Sequence, residues 1–254
     1  MFEPLDWSII GPAFVAGLIV LSTHVPLGQE VLRRGIIFID LAIAQVAGLG
    51  VIAAYAMEWD PEGIEVQLTA VSAALVAAVG LYWTEKRWPR IQEPLIGTLF
   101  ILAATGGILL LAGNPHGSEH LKDLLVGQIL WTTWGALVPV ALLYAGLLAI
   151  WFWLHPRSGG LAFYLVFAVA VTASVQIVGI YLVFASLIVP GLVTLGIKKG
   201  NRLVAGYLVG AVSYLVGIVA SFWMDLPTGA VIVWSLAAVG LVAGLFISDK
   251  RSDS

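Results

Sequence analysis

Long apolar runs recur along this chain, separated by short polar breaks. Read between charged residues and Pro/Gly breaks, they predict spans over 8–27, 36–57, 66–83, 95–113, 129–154, 161–178, 180–197, 203–223 and 229–247. A helix needs about 20 mostly apolar residues to cross a bilayer. The awkward stretch is 161–197, which has room for about 18 residues per crossing if it crosses twice. Gly179, Pro190 and Gly191 then read as breaks in short or discontinuous helices. One long tilted helix is the alternative. The expected fold is all-α: a polytopic integral membrane protein of about eight to nine transmembrane helices, with residues 1–254 as one transmembrane domain.

The charges choose between these threadings. Arg33, Arg34, Lys86, Arg87, Arg90, Arg157, Lys198, Lys199, Arg202, Lys250 and Arg251 fall in alternate connections and at the tail. The other connections hold Glu58, Asp60, Glu62, Glu65, Glu119, Asp123 and Asp225, with Lys122 the single basic residue there. Only two crossings within 161–197 preserve that alternation. Basic loops stay cytoplasmic, so nine spans put the N-terminus outside and the C-terminus inside. MFEPLDW has no basic segment and no small-residue cleavage site, so the first apolar run reads as a retained span.

Composition agrees. The chain is 60% hydrophobic and 11% charged, against about a quarter charged in a soluble domain. It has no cysteine, which excludes a disulfide framework and thiolate metal sites. Nothing points to nucleic acid; lipid is the expected surroundings. Trp7, Trp59, Trp83, Trp88, Trp131, Trp134, Trp151, Trp153 and Trp223 lie near span ends, as interfacial aromatics do. Gly206/Gly210 and Gly240/Gly244 have the GxxxG spacing that lets helices approach closely. There is no GxxxxGK[ST] phosphate loop and no HExxH, CxxC or GxSxG. The chain is therefore not expected to be an enzyme, and any ATP hydrolysis belongs to another chain.

Two phrases at membrane depth carry polar chemistry: PLGQEVLRRGIIFIDLAIAQVAGLGV and QIVGIYLVFASLIVPGLVTL. An intramembrane carboxylate is costly and marks a functional site by default, which singles out Asp40. Its plain alternative is an ion pair with Arg33 or Arg34. Gln45 is a neutral oxygen donor or interhelical glue, as is Gln176. His24, near the cytoplasmic end of the first span, supplies the nitrogen that suits zinc and is a candidate partner of Asp40. Glu93 is a pathway carboxylate or an interfacial charge beside Arg90. His116, Glu119 and His120 sit in the external loop NPHGSEHLKD, with the two histidines one helical turn apart. They read as an ion-capture vestibule or as an ordinary solvated loop. Together these features suggest movement of a polar solute across a bilayer.

Five phrases in order then resemble a known family. PLGQEVLRR with Asp40 six residues after Arg34, IQEPLIGTLFILAATGGILLL, HLKDLLVGQIL, VGIYLVFASLIVPGLVTL and MDLPTGAVIV are similar to the membrane permease subunits of ABC importers for zinc and manganese. The resemblance implies a homodimeric permease in the cell membrane. It implies a separate ABC ATPase dimer on the cytoplasmic side and an external metal-binding delivery protein. The metal, zinc first and manganese second, is cargo and not a resident cofactor. The residue reading and the resemblance together make Asp40, Gln45, His24, Glu93, His116 and His120 the expected metal-handling residues.

The chain departs from the family's pattern in three places. The family's His, one turn after the Asp, falls at Ala44 or Gln45. The Asp of its Gly-Asp phrase is Gln128. A longer cytoplasmic segment shrinks here to HPRSGG, 155–160, which leaves EKRWPR at 85–90 and KKGNR at 198–202 as candidate ATPase contacts. Two other readings stay open: a secondary transporter or channel with Asp40 as relay, and a non-transporting membrane scaffold.

Overall fold

A computed structural model of the chain describes residues 7–57, 59, 63–112, 114, 117–154, 160–197 and 201–252. Among the described residues ten α-helices run in order: α1 (Trp7–Arg34), α2 (Ile39–Ala56), α3 (Ile64–Arg87), α4 (Gln92–Leu111), α5 (Gly117–Val126), α6 (Trp134–Leu154), α7 (Leu161–Val178), α8 (Ile180–Val193), α9 (Arg202–Met224) and α10 (Thr228–Ser252). Single 3-10 turns at Pro89–Ile91 and Ile129–Trp131 lead into α4 and α6. Eight of the helices are long and apolar enough to cross a membrane, and α8 is the shorter ninth apolar helix.

Helices α1, α2 and α7 form the centre, with 56–67% of their most apolar windows buried. In α3, α4, α6, α9 and α10 the share is 22–39%, and their outer faces carry Leu, Ile, Val and Trp. A helix that is apolar all round but buried on one side only is built to face lipid on the other.

Small residues set the packing. Along α1 and α9, Gly17 lies against Tyr214, Leu21 against Gly210 and Val25 against Gly206. The rising and falling numbers make these two helices antiparallel. Against α8, Gly28 meets the carbonyl of Leu187 and Gly191 meets Leu32, so α8 runs parallel to α1. A side chain at Gly28 would collide with that carbonyl, which is why glycine stands there. The two GxxxG pairs divide in use. Gly206 and Gly210 both pack on α1, whereas Gly240 lies against Val189 and Val193 of α8, and a methyl added at Gly244 would meet no described atom within 4 Å.

The two-crossing reading of 161–197 holds. The start of α7 lies beside Arg34, whose guanidinium sits 4.6 Å from the ring centroid of Phe163. The other end of α7 abuts Gly127 and Gly229. There the chain breaks at Gly179 (φ 79°, ψ 161°) and returns as α8. Fourteen residues of helix span about 21 Å, short of the ~30 Å hydrocarbon core. Helix α8 alone therefore falls short of a full crossing, as expected for a short helix here, whereas Pro190 and Gly191, read as further breaks, lie inside it.

The ends of the bundle sort by charge as the alternation predicts. At one end Arg34 reaches Glu85 at 3.0 Å, and Arg33 and Arg202 line one cavity with Trp151 and Leu195. At the other, Asp123 and Gln128 line one cavity, and Gln128 and Asp225 a second. Three expectations change. The segment 114–123, read as a loop, contains most of α5, because Leu121, Leu124 and Leu125 share one helical face and Leu121 and Leu125 cover an apolar groove. The span read as 129–154 begins later, after a turn at Ile129–Trp131. Trp151 is only 6% exposed and packs against Phe163, unlike the other eight predicted interfacial tryptophans.

Candidate functional site at the start of the second helix

The start of α2 holds one carboxylate of its own, Asp40, and draws on a second, Glu93, from the first turn of α4. The segment after α1 returns through Gly35 (φ 72°) and enters α2 at Phe38, whose own side chain offers no cap. The orphan donor is met from a distance: the Phe38 N–H donates to Glu93 Oε1 at 3.1 Å. Glu93, in the first turn of α4, thus ties two helix starts together. Its second oxygen is buried without a partner. Two residues beyond Phe38 comes Asp40, 0% exposed, with neither carboxylate oxygen hydrogen-bonded to any described group.

The ion-pair alternative for Asp40 does not hold, because the arginines are already taken. Arg33 Nε donates to Glu30 Oε2 at 2.6 Å and Arg34 Nε to Glu30 Oε1 at 2.7 Å. Arg34 also donates to Glu85 through Nη1. Glu30 sits one turn before the arginines on α1, so i, i+3 and i, i+4 spacing brings all three together. Sequence reading passed over Glu30, although that spacing was visible in GQEVLRR.

Several other deep polar groups are satisfied, although Gln29 Nε2, His24 Nε2 and Ser235 Oγ also lack partners among the described residues. Ser186 and Tyr214 share a hydrogen bond, as do Tyr144 and Ser174. Thr172 donates to the carbonyl of Ala168. Buried polar atoms are ordinarily paired, and each exception calls for an explanation. Asp40 is the only carboxylate among the described residues with both oxygens orphaned.

Helix phase separates the remaining candidates. Gln45 follows Asp40 by five residues, about 140° round the helix. It lines the apolar groove of α2, α4, α5, α8 and α10 instead, with Leu41, Phe100 and Tyr181. Ala44, one turn after Asp40 and 0% exposed, occupies the position on Asp40's face.

His24 is fully buried in α1. Its Nδ1 lies 2.9 Å from the carbonyl oxygen of Val20, which makes Nδ1 the donor and leaves Nε2 with a free lone pair. No hydrogen bond joins it to Asp40. Helix α1 packs chiefly on α8, α9 and α6, and α2 on α3 and α4. The site expected from His24, Asp40 and Gln45 together is therefore not assembled. No group of three His, Cys, Asp or Glu capable of holding a metal occurs among the described residues. His116 and the side chain of His120 lie outside the described residues.

The comparisons with known proteins point one way. The model of a family described as "ABC 3 transport family" matches residues 6–158 and 154–247, and the two matches meet at the short connection after α6. A "Probable iron transport system membrane protein" of Haemophilus influenzae is 25% identical over 267 residues, covering 97% of this chain and 93% of its own. The "Chelated iron transport system membrane protein YfeC" of Yersinia pestis is 26% identical, covering 99% and 90%. The "Manganese transport system membrane protein MntC" of Halalkalibacterium halodurans is also 26% identical, covering 97% and 90%. The fold matches a chain of the solved structure "PsaBC from Streptococcus pneumoniae in complex with Fab", with TM-score 0.72, 20% identity, and 92% and 90% of the two chains covered.

Proposed function

The chain belongs to the ABC 3 transport family, and from that premise we propose that it is the permease subunit of an ATP-driven importer of a divalent transition metal ion. It works as a homodimer in the cell membrane, with a separate ATPase dimer at its basic, cytoplasmic end. An external binding protein delivers the ion to the acidic end. The chain performs no chemistry itself: it holds the ion transiently and opens alternately to each side.

The observation that carries this reading is the buried, unpartnered carboxylate of Asp40, supported by Glu93 at the same helix start. These are oxygen ligands, which suit hard and borderline cations such as manganese. Zinc, the first expectation from the sequence, is best served by nitrogen. His24 does not join Asp40, and Ala44 supplies no donor. Manganese therefore fits the described side chains better than zinc, in line with the iron and manganese systems named among the relatives. With only six residues between α6 and α7, coupling to the ATPase falls to the connections at 85–90 and 198–202.

Reconstitution tests this directly. Proteoliposomes holding the chain with its ATPase subunit are expected to accumulate radiolabelled manganese only when ATP is supplied on the ATPase side. The chain alone should hydrolyse none. ATP-independent accumulation by the chain alone would instead establish a secondary transporter.

Orientation has its own test, helped by the absence of native cysteine. In intact cells, a cysteine introduced at Asp225 is expected to react with a membrane-impermeant maleimide. One introduced at Lys86 should react only after the membrane is opened. The reverse pattern would invert the topology.

A further inference from the structure

The acidic end holds a cavity of about 290 Å³ between α2, α3, α5 and α7, lined by the polar residues Tyr55, Gln67, Asp123, Gln128 and Gln176 together with three valines and Leu124. We propose that this cavity captures a hydrated divalent cation before it enters the membrane. The proposal rests on the transport reading for its place in the import sequence, but its chemistry stands on the cavity.

Four observations converge there. The lining offers one carboxylate, three side-chain amides and a phenol, and no nitrogen base or thiol. That is a hard-oxygen set, suited to ions of the manganese and calcium kind. Six waters occupy under ~200 Å³ at about 30 Å³ each, so a fully hydrated ion fits. A single charge among neutral oxygens holds such an ion loosely, as an entry station requires. Gln176 is exposed near the end of α7, one of the most buried helices of the bundle, and what it faces is this cavity.

Helix phase connects the cavity to Asp40. Asp40, Ala44, Ala47, Val51 and Tyr55 follow one another at three- and four-residue steps, which keeps them on one face of α2. Val51 and Tyr55 line the cavity, and Tyr55 stands about 22 Å along the axis from Asp40. Between them the face carries only Ala44, Ala47 and Val51, 0–6% exposed. Gln45 and the apolar groove lie on the other side of the helix. The cavity therefore opens over Asp40's face of α2 and not over the groove.

The test is manganese(II) binding to the purified full-length chain in lipid nanodiscs, read from loss of the free-ion electron paramagnetic resonance signal. Every variant is made in an Asp40→Asn background, so that only the outer cavity is measured. Asp123→Asn is expected to raise the half-saturating manganese concentration about tenfold. Gln128→Leu, which removes an oxygen without removing charge, should raise it by a smaller factor. Asp225→Asn, a carboxylate at the same end outside the cavity, should leave it unchanged. Unchanged binding in Asp123→Asn overturns the proposal. So does an equal loss in Asp225→Asn, which would mark a diffuse surface-charge effect. Either failure leaves ATP-driven uptake through Asp40 standing, since that is measured on the assembled transporter.

Discussion

Asp40→Asn is expected to lower ATP-driven metal uptake by about 10–100-fold, the range seen when a group supporting a metal site is removed, while membrane abundance stays at or above that of the native chain. The two readouts diverge for a physical reason. Asp40 lies in the first turn of α2, where a negative charge gains about 0.3–2 kcal/mol from the helix dipole. Burial of an ionised carboxylate costs several kcal/mol, and neither Arg33 nor Arg34 is free to offset it, since Glu30 and Glu85 hold both. The native residue is therefore a net structural liability. Asparagine keeps the shape and removes the charge, relieving an insertion cost of up to about 2.5–3.5 kcal/mol. Lost uptake with intact abundance makes Asp40 an ion-handling residue. Normal uptake would reduce it to a tolerated burial and withdraw the site assignment.

The fold was largely legible before the structure. The charge alternation favoured two crossings within 161–197, and of Gly179, Pro190 and Gly191 only Gly179 marks a break, since α8 runs on through the other two. Asp40 stood out because a carboxylate among Ile, Leu and Ala admits few structural excuses. What stayed hidden falls into two kinds. Some of it was local and recoverable: the phase difference between Asp40 and Gln45 follows from a five-residue step, and Glu30 lies at pairing distance from both arginines. The rest is tertiary. The meeting of Tyr55, Gln67, Asp123, Gln128 and Gln176 depends on how α2, α3, α5 and α7 converge, and no spacing within one helix encodes that. Glu93 is an intermediate case. Its acidity was noted, but its bond to the Phe38 N–H joins residues on separate helices.

Gly179→Ala is expected to be the most damaging single-methyl change to the fold. Gly179 combines φ 79° with ψ 161°, a region of backbone space that is essentially glycine-only and costs about 1–3 kcal/mol for other residues. The added methyl also has nowhere to go. It would run into the backbone of Val126 and Gly127, while a side chain at Gly127 would meet Val178 and Gly179 in return. Gly229, at the start of α10, closes the same knot against the Val126 carbonyl. The end of α5, the α7–α8 break and the entry to α10 are thus held backbone to backbone. Overpacking at a rigid site adds about 1–3 kcal/mol, and here the neighbours are main chain and cannot rotate aside. The combined loss is several kcal/mol, a large share of a typical folding stability. In detergent, the variant should unfold at a markedly lower temperature and yield less folded protein. Gly244→Ala, on the α10 glycine with no neighbour within reach, should change neither. Equal stability of the two variants would mean that the knot is not what holds the break between α7 and α8.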